Sequence, residues 1–579
     1  MGSLGTSDPL LAIAMRAAHA RSAVSKHLLE KYKVKYKQPD AESLPFQAHV
    51  IQEPHTHNDE DGGGDLPDRN KKICIIGAGA AGLAAAMSLH EAEFYNIDIL
   101  TLDLLAKLKV NTTRYYYGLK GLSAKQSDEI VPKMWYFENS RPESKKFADV
   151  MDRLLLQQGF LVRVPGDKDK RQAGNFEEAY DNFMNDKLDK LSTRSYLLTK
   201  DYTYEETLYA ELAVSGRNDS FDQALLETVC DYLDFQQAEN ADWYRVEGGM
   251  EVLVKAMVDE VAKRPETKLK TNTAVVALKN DEDRKKIIVT TESGDVTEYD
   301  AVFNTTSMPC LERMDISELG LSKKILTGIR SLHYDNSAKV AIKFKKAWWM
   351  PLLKVPGGVS ATDLPISNIV YPSFDIAEDE PAVLLASYSW SQDAIRMAAL
   401  FDNSKPGACE PNVEDEVVKQ VLKNIAQVWS KSKLEHPPTY GDLRDMYLNH
   451  FAWSWDQDKY TGGAFALFGP GQFQNFYADF QDPQCQGKFM MCGEAISVEH
   501  AWISGALKSA YCAVLKWTRK RDLKCGHGDI CQTLLKRSIL GGGKGEHPLE
   551  LDENLLYWTV DLQNVELDVA APKLAAAAA

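Results

Sequence analysis

The sequence predicts an α/β protein in which a Rossmann-like dinucleotide-binding domain is interleaved with a mixed-sheet domain and a helical insertion. Three observations predict it. "ICIIGAGAAGLAAAMSL" runs from an apolar strand through a Gly-rich turn into an Ala-rich helix. Residues 141–245 carry high charge and helical periodicity, as in "FADVMDRLLLQQ" and "FDQALLETVCDYLDF". Strand-like segments return after them, over residues 246–310 and again over residues 486–522. A chain of 579 residues is ample for several cores.

Taken in order, residues 1–70 read as a helical leader (10–35) and a linker, "EDGGGDLPDRNK", rich in turn formers. Residues 71–100 read as strand, Gly-rich turn, helix and second strand. With residues 246–310 and 486–522 they make up a discontinuous nucleotide domain. Residues 101–140 and 311–485 form the mixed-sheet domain, with "AKVAIKF" and "AVLLASYSW" as strands and a helix over 413–432. Residues 141–245 form the helical domain, and residues 523–579 a weakly structured tail ending in "AAPKLAAAAA". There is no internal repeat.

Composition excludes several functions. A net charge of −16 leaves no basic face to neutralise phosphate, so no nucleic-acid partner is expected and anionic membrane surfaces are disfavoured. No apolar run reaches about 18 residues, so no membrane-spanning helix is expected. The N-terminus lacks a basic n-region, and Arg16 interrupts its apolar run, so no secretory signal is read and a cytoplasmic location is expected. "MGSLGT" fits the loose myristoylation pattern, which is short enough to arise by chance. Nine cysteines, an odd number in a long chain, point to free thiols in a reducing compartment rather than a disulfide framework. "CGHGDIC" lacks a second ligand pair, so no metal site is expected.

Two motifs carry chemistry. In the first, Gly77 permits the tight turn, Gly79 lets backbone approach a pyrophosphate, and Gly82 lets helix and strand pack closely. Ala80 and Ala81 open the helix, whose free N–H groups and dipole suit that anion. The second is "FMMCGEAISVEHAWISGALKSAYCAVLKW". An apolar strand ends at Gly493-Glu494, and a short loop leads through Ala501 and Trp502 to a helix beginning at Ile503, Ser504 and Ala506. Small residues there admit a planar or anionic ligand to the backbone N–H groups. The Glu494 carboxylate can accept hydrogen bonds from sugar-like hydroxyls.

These stretches, with several others in the same order, resemble the flavin-containing amine oxidase superfamily, and within it the L-amino acid oxidases. The resemblance spans roughly residues 70–520. "RVEGGMEVLVKAM" resembles the Gly-Gly segment that opens a helix at the flavin domain. "TAVVAL" resembles the strand whose valine, here Val275, meets the adenine. "HYDNSAKVAIKFKKAWW" resembles the strand bearing the flavin-facing lysine, here Lys339. "TDLPISNIVYPS" resembles the segment whose tyrosine, here Tyr371, holds the substrate carboxylate. "GGAFALFGPGQ" and "HAWISGAL" resemble segments beside the flavin ring.

The resemblance implies FAD as cofactor, bound at Gly77, Gly79, Ala80, Ala81, Gly82, Val275, Gly493, Glu494, Ala501, Trp502, Ile503, Ser504 and Ala506. It implies Lys339 as the catalytic residue. The substrate is an L-amino acid oxidised by molecular oxygen to a 2-oxo acid, with ammonia and hydrogen peroxide released. It would be held by Tyr371, Trp455, Phe465, Ala501 and Trp502, and a homodimer is possible. From pattern alone Lys339 points either inward or to solvent. Tyr371 is either a ligand or a core tyrosine. Trp453, Trp455, Tyr460 and Phe465 either wall an apolar pocket or pack ordinarily.

One stretch departs from the pattern. In the resembled family the second strand ends in a glutamate for the adenine ribose. A Gly-Gly-Arg loop and an arginine for the substrate carboxylate follow it. Here "DIL" passes directly into "TLDLLAKLKV" at Leu100–Thr101. The acid, the loop and the arginine have no counterpart, and Asp103 stands two positions late. Three readings therefore stay open: an L-amino acid oxidase, a neighbouring amino-acid 2-monooxygenase or amine oxidase, and an inactive remnant.

Overall fold

The computed structural model describes residues 72–90, 105, 108–115, 147–163, 165, 171–215, 220–235, 243–263, 267–353, 357–373, 379–401, 407–408, 410–432 and 434–525. The helical leader, the linker, the second strand with the Leu100–Thr101 junction and Asp103, and the tail beyond Cys525 lie outside the described residues.

Ile73–Ile76 pairs in parallel with Ala301–Asn304, which pairs in parallel with Phe489–Met491 on its other side. Segments more than 180 residues apart thus form one sheet. The central strand is buried along its whole length, as befits a parallel strand covered on both faces. Its side chains alternate between two cores. Ala301 and Phe303 join a cluster with Ala84, Met87, Met257 and Leu507. Val302 joins a second cluster with Leu311, Phe468 and the helical region. Ala80–His90 packs against Ile503–Cys525 and Glu251–Ala262 on the first face.

Beside this sheet stands an antiparallel three-stranded sheet of Val275–Asp281, Lys286–Thr291 and Val296–Tyr299. The helical region holds Phe147–Gln158, Phe176–Asn185, Thr193–Leu198, Tyr204–Ser215 and Leu225–Phe235. Phe147, Val150, Met151, Leu154 and Leu155 are buried at helical spacing, which is why that segment turns one face inward. Two three-residue strands, Leu161–Arg163 and Arg171–Ala173, pair within this region and are too short to show a period in sequence. On either side of the helical region, Thr112–Tyr115 and Trp243–Val246 pair antiparallel, so the chain leaves for it and returns from it side by side.

A six-stranded sheet is ordered Gly358–Ala361, Asn368–Tyr371, Ala382–Trp390, Ser337–Phe344, Tyr447–Ser454, Gly407–Ala408. Its strand pairings are antiparallel, and an isolated parallel bridge joins Ser367 to Tyr388. One face buries Val340, Ile342 and Phe344 with Tyr371, Trp349 and Trp429. The helix Glu416–Ser430, which carries Trp429, covers that face. Lys339 belongs to the opposite face, one residue out of phase with Val340.

Candidate active site

The Gly-rich turn opens directly off Ile76. Gly77 has φ +105, a left-handed conformation that disfavours a side chain, and a Cβ there would meet Thr305 Oγ1 at 2.5 Å. Thr305 pins the turn, since its amide and its hydroxyl both donate to Ile76 O at 2.9 Å. A Cβ on Gly82 would meet Gly77 O at 2.0 Å, so only glycine lets the helix pack against the turn. A Cβ on Gly79 would meet nothing within 4 Å. Open space therefore lies against the backbone at the start of Ala80–His90, where Ala80 and Ala81 are the first residues and no acidic side chain opposes an anion. The residues present fit a pyrophosphate.

The second motif is wired into the first. A Cβ on Gly493 would touch Thr305 O at 3.7 Å. Ser509, two turns into Ile503–Cys525, donates to Gly493 O and accepts from Gly493 N, both at 2.7 Å. Glu494 follows, accepting from Ala466 N at 2.8 Å and Ala501 N at 3.1 Å. Burial raises its affinity for a proton; nearby His500 and the two amide donors oppose that shift. Ala501 holds φ +65, and Trp502, Ile503, Ser504 and Ala506 are half-buried at the start of the helix. Gly505 among them is tight, because a Cβ there would meet Glu499 O at 2.2 Å.

From Ala466 the contacts continue to the lysine. Phe465 packs on Trp390 with ring centroids 4.6 Å apart, and Trp390 on Tyr388 at 5.6 Å. The Lys339 Nζ lies 4.6 Å from the Tyr388 ring centroid and 5.1 Å from that of Trp455. Register explains the cluster: Asn368, Tyr388, Lys339 and Trp453 oppose one another across four strands and share a face. Half-buried Lys339 makes cation–π contacts, and burial pushes its ammonium below the usual lysine range.

The structure thus brings Gly77, Gly493, Glu494, Ala501, Phe465, Trp455 and Lys339 into one line of contacts. It does not bring Tyr371 there. Tyr371 is 1% exposed in the core on the other face; its hydroxyl accepts from Ser360 Oγ at 3.2 Å and its ring meets Trp429 edge-on at 6.2 Å. Tyr371 lies three positions from Asn368 in the strand, which sends its side chain to the opposite face. Tyr460 is 66% exposed. Val275 stands half-buried at the head of its own sheet, packed against the large core. Thr305, Tyr388, Trp390 and Ser509 were not singled out from sequence. The alternation in "AVLLASYSW" places Tyr388 and Trp390 on one face, but only register shows that the face is that of Lys339.

A glycine-built anion cradle is linked through Glu494 to an aromatic-held lysine, an arrangement suited to a dinucleotide-dependent oxidoreductase. Comparison with known proteins gives the family. The family described as flavin containing amine oxidoreductase matches residues 104–514, more than half of the chain, and the chain belongs to that family. The match begins just past the Leu100–Thr101 junction. The chain is 33% identical over 316 residues to L-amino-acid oxidase 4 of Hebeloma cylindrosporum, covering 52% of this chain and 48% of that protein. It is 25% identical over 474 residues to an L-amino-acid oxidase of Siganus canaliculatus, covering 76% and 83%. A Dictyostelium discoideum protein named a bifunctional amine oxidase is 34% identical over 354 residues, covering 59% of this chain and 31% of that one. The chain therefore spans under half the length of two of these relatives. In fold it is similar to a redesigned putrescine oxidase (TM-score 0.54, 15% identity, covering 78% of this chain and 99% of that one) and to cyclohexylamine oxidase from Brevibacterium oxydans (TM-score 0.53, 14% identity, covering 78% and 99%). The cofactor of the family is FAD. Among the described residues no helix is long and apolar enough to cross a membrane, and no cluster of His, Cys, Asp and Glu is arranged to hold a metal ion.

Proposed function

We propose that the site oxidises the α-amine of an L-amino acid, giving an imine that hydrolyses to a 2-oxo acid and ammonia, with oxygen reduced to hydrogen peroxide. The observation that carries this reading is the unbroken line of contacts from the Gly77 turn through Glu494 and Phe465 to Lys339. When bound, FAD supplies hydride acceptance from the substrate Cα and the return of electrons to oxygen. Gly77, Gly79 and Gly82 with the Ala80–Ala81 helix start would hold its pyrophosphate. Val275, Glu494, Ala501, Trp502, Ile503, Ser504 and Ala506 would hold the rest. Lys339, a cation lying against the Tyr388 and Trp455 rings, would place positive charge and an ordered water beside the reacting ring. Trp390, Trp455 and Phe465 would exclude bulk water and receive an apolar side chain. The relatives named L-amino-acid oxidases support the amino-acid class of substrate.

A visible spectrum of the purified chain and product analysis test the proposal. Flavin bands with 2-oxo acid and peroxide from an L-amino acid support it. An amide product indicates a 2-monooxygenase, turnover of simple amines alone indicates an amine oxidase, and a colourless folded chain indicates the remnant. The missing family-like segment at Leu100–Thr101 supports feeble turnover by the chain as written.

A further inference from the structure

The geometry points to Glu227, on the helix Leu225–Phe235 of the helical region, as a positioning residue for the flavin-facing turn around Ala501 and Trp502. Glu227 is 1% exposed, and its Oε1 accepts from His500 Nδ1 at 2.5 Å and from Phe468 N at 2.7 Å. His500 is buried too, its ring 4.3 Å from that of Phe468 and 5.6 Å from that of Phe473. The arrangement is paired with that of Glu494, which accepts from Ala466 N and Ala501 N. Two carboxylates from distant elements therefore tie the same two segments together. Glu494 joins 466 to 501, and Glu227 joins 468 to 500. Between them they hold Ala501, whose φ of +65 an alanine adopts only when its surroundings impose it.

The chemistry follows from burial. A carboxylate removed from water is stable only when engaged by donors, and Glu227 is engaged by Phe468 N and His500 Nδ1. The helical region and the turn are thereby locked in one arrangement. Ala224 N, donating to Phe468 O at 2.8 Å, adds a backbone link at the same place. Residues far from the nucleotide motif in sequence thus set the position of the backbone that receives the flavin.

The inference rests on the reading that the 493–502 turn faces the flavin. The test compares wild type, Glu227→Gln, His500→Phe, the double variant and Trp502→Phe. FAD dissociation constants are measured on diluted holoprotein by recovery of flavin fluorescence, together with visible circular dichroism of the bound flavin. Phe160→Leu serves as a control, since Phe160 is fully buried in the same helical region against Tyr180. We expect Glu227→Gln to weaken FAD about five- to ten-fold and alter the flavin dichroism, and the double variant to be no worse than His500→Phe alone. Phe160→Leu lowers the melting temperature without either change. Should His500→Phe fail to fold, Glu227→Gln against Phe160→Leu decides the matter. Unchanged affinity and dichroism in Glu227→Gln, additive losses in the double variant, or equal loss in Phe160→Leu overturns the inference. If Trp502→Phe leaves flavin dichroism and affinity untouched, the underlying reading of the turn fails instead.

Discussion

At the scale of single residues, position in the backbone outweighs chemical type. Gly79 and Gly82 sit three residues apart in one motif, yet one faces open space and the other a carbonyl at 2.0 Å. Gly79→Val is therefore expected to abolish flavin binding while leaving the chain folded, because the branched side chain enters the anion cradle, where a Cβ meets nothing within 4 Å. Retained flavin at wild-type stoichiometry, read from absorbance, would exclude this site. Lys339→Met is expected to keep FAD bound and to slow flavin reoxidation roughly 10- to 100-fold, since the stem stays between Tyr388 and Trp455 while the charge goes. An unchanged stopped-flow reoxidation rate would show that the charge plays no part. Tyr371→Phe is expected to leave KM unchanged and to cost about 1 kcal/mol of stability, the worth of its bond with Ser360. A large rise in KM without loss of stability would return Tyr371 to the substrate.

At the scale of elements, the junctions between helical region and sheets hold the costly groups. Asp189, in the turn Leu188–Lys190, is 1% exposed. Burial pushes its carboxyl up to about 7, opposed by the backbone N–H of Gln474 and the charge of Lys190. Its own carbonyl accepts from Gly471 N at 2.7 Å, so the residue is fixed between the helical region and the loop before Phe473. A carboxyl whose folded affinity for protons exceeds its unfolded one favours the folded state at low pH. That contribution is complete below about pH 4 and is lost as pH rises through about 7. Asp189→Asn is accordingly expected to raise stability at pH 8 by about 1–4 kcal/mol, with little change near pH 4. Urea unfolding at the two pH values checks this, and an equal effect at both would assign the gain to packing. Element types were legible where a period ran long enough. Phe147–Gln158, Glu416–Ser430 and Ser337–Phe344 show their buried faces in the sequence itself. The hairpin Leu161–Arg163 with Arg171–Ala173 was not legible, since three residues define no period.

At the scale of the whole molecule, we propose that the Leu100–Thr101 junction sets competence. A charge-assisted pair to a substrate carboxylate is worth about 1.5–3 kcal/mol, and the resembled family draws that pair from the segment with no counterpart here. The chain as written is expected to turn over L-amino acids roughly 10- to 150-fold more slowly than one with a family-like segment restored between Leu100 and Thr101. Peroxide release across a panel of L-amino acids, with FAD in excess, measures the difference. Equal, robust turnover by both would mean that residues already present orient the carboxylate. By itself the sequence determined the nucleotide turn, the family, the FAD cofactor and the strand bearing Lys339, because each is written in contiguous residues with a local backbone requirement. Only the tertiary structure decided which distant segments meet. It put Tyr371 in a core, set Tyr388 and Trp390 beside Lys339, and closed Glu227 on His500. The physical reason is that a side chain's face follows from strand register and its partner from long-range pairing, and neither is encoded within the few residues that carry a motif.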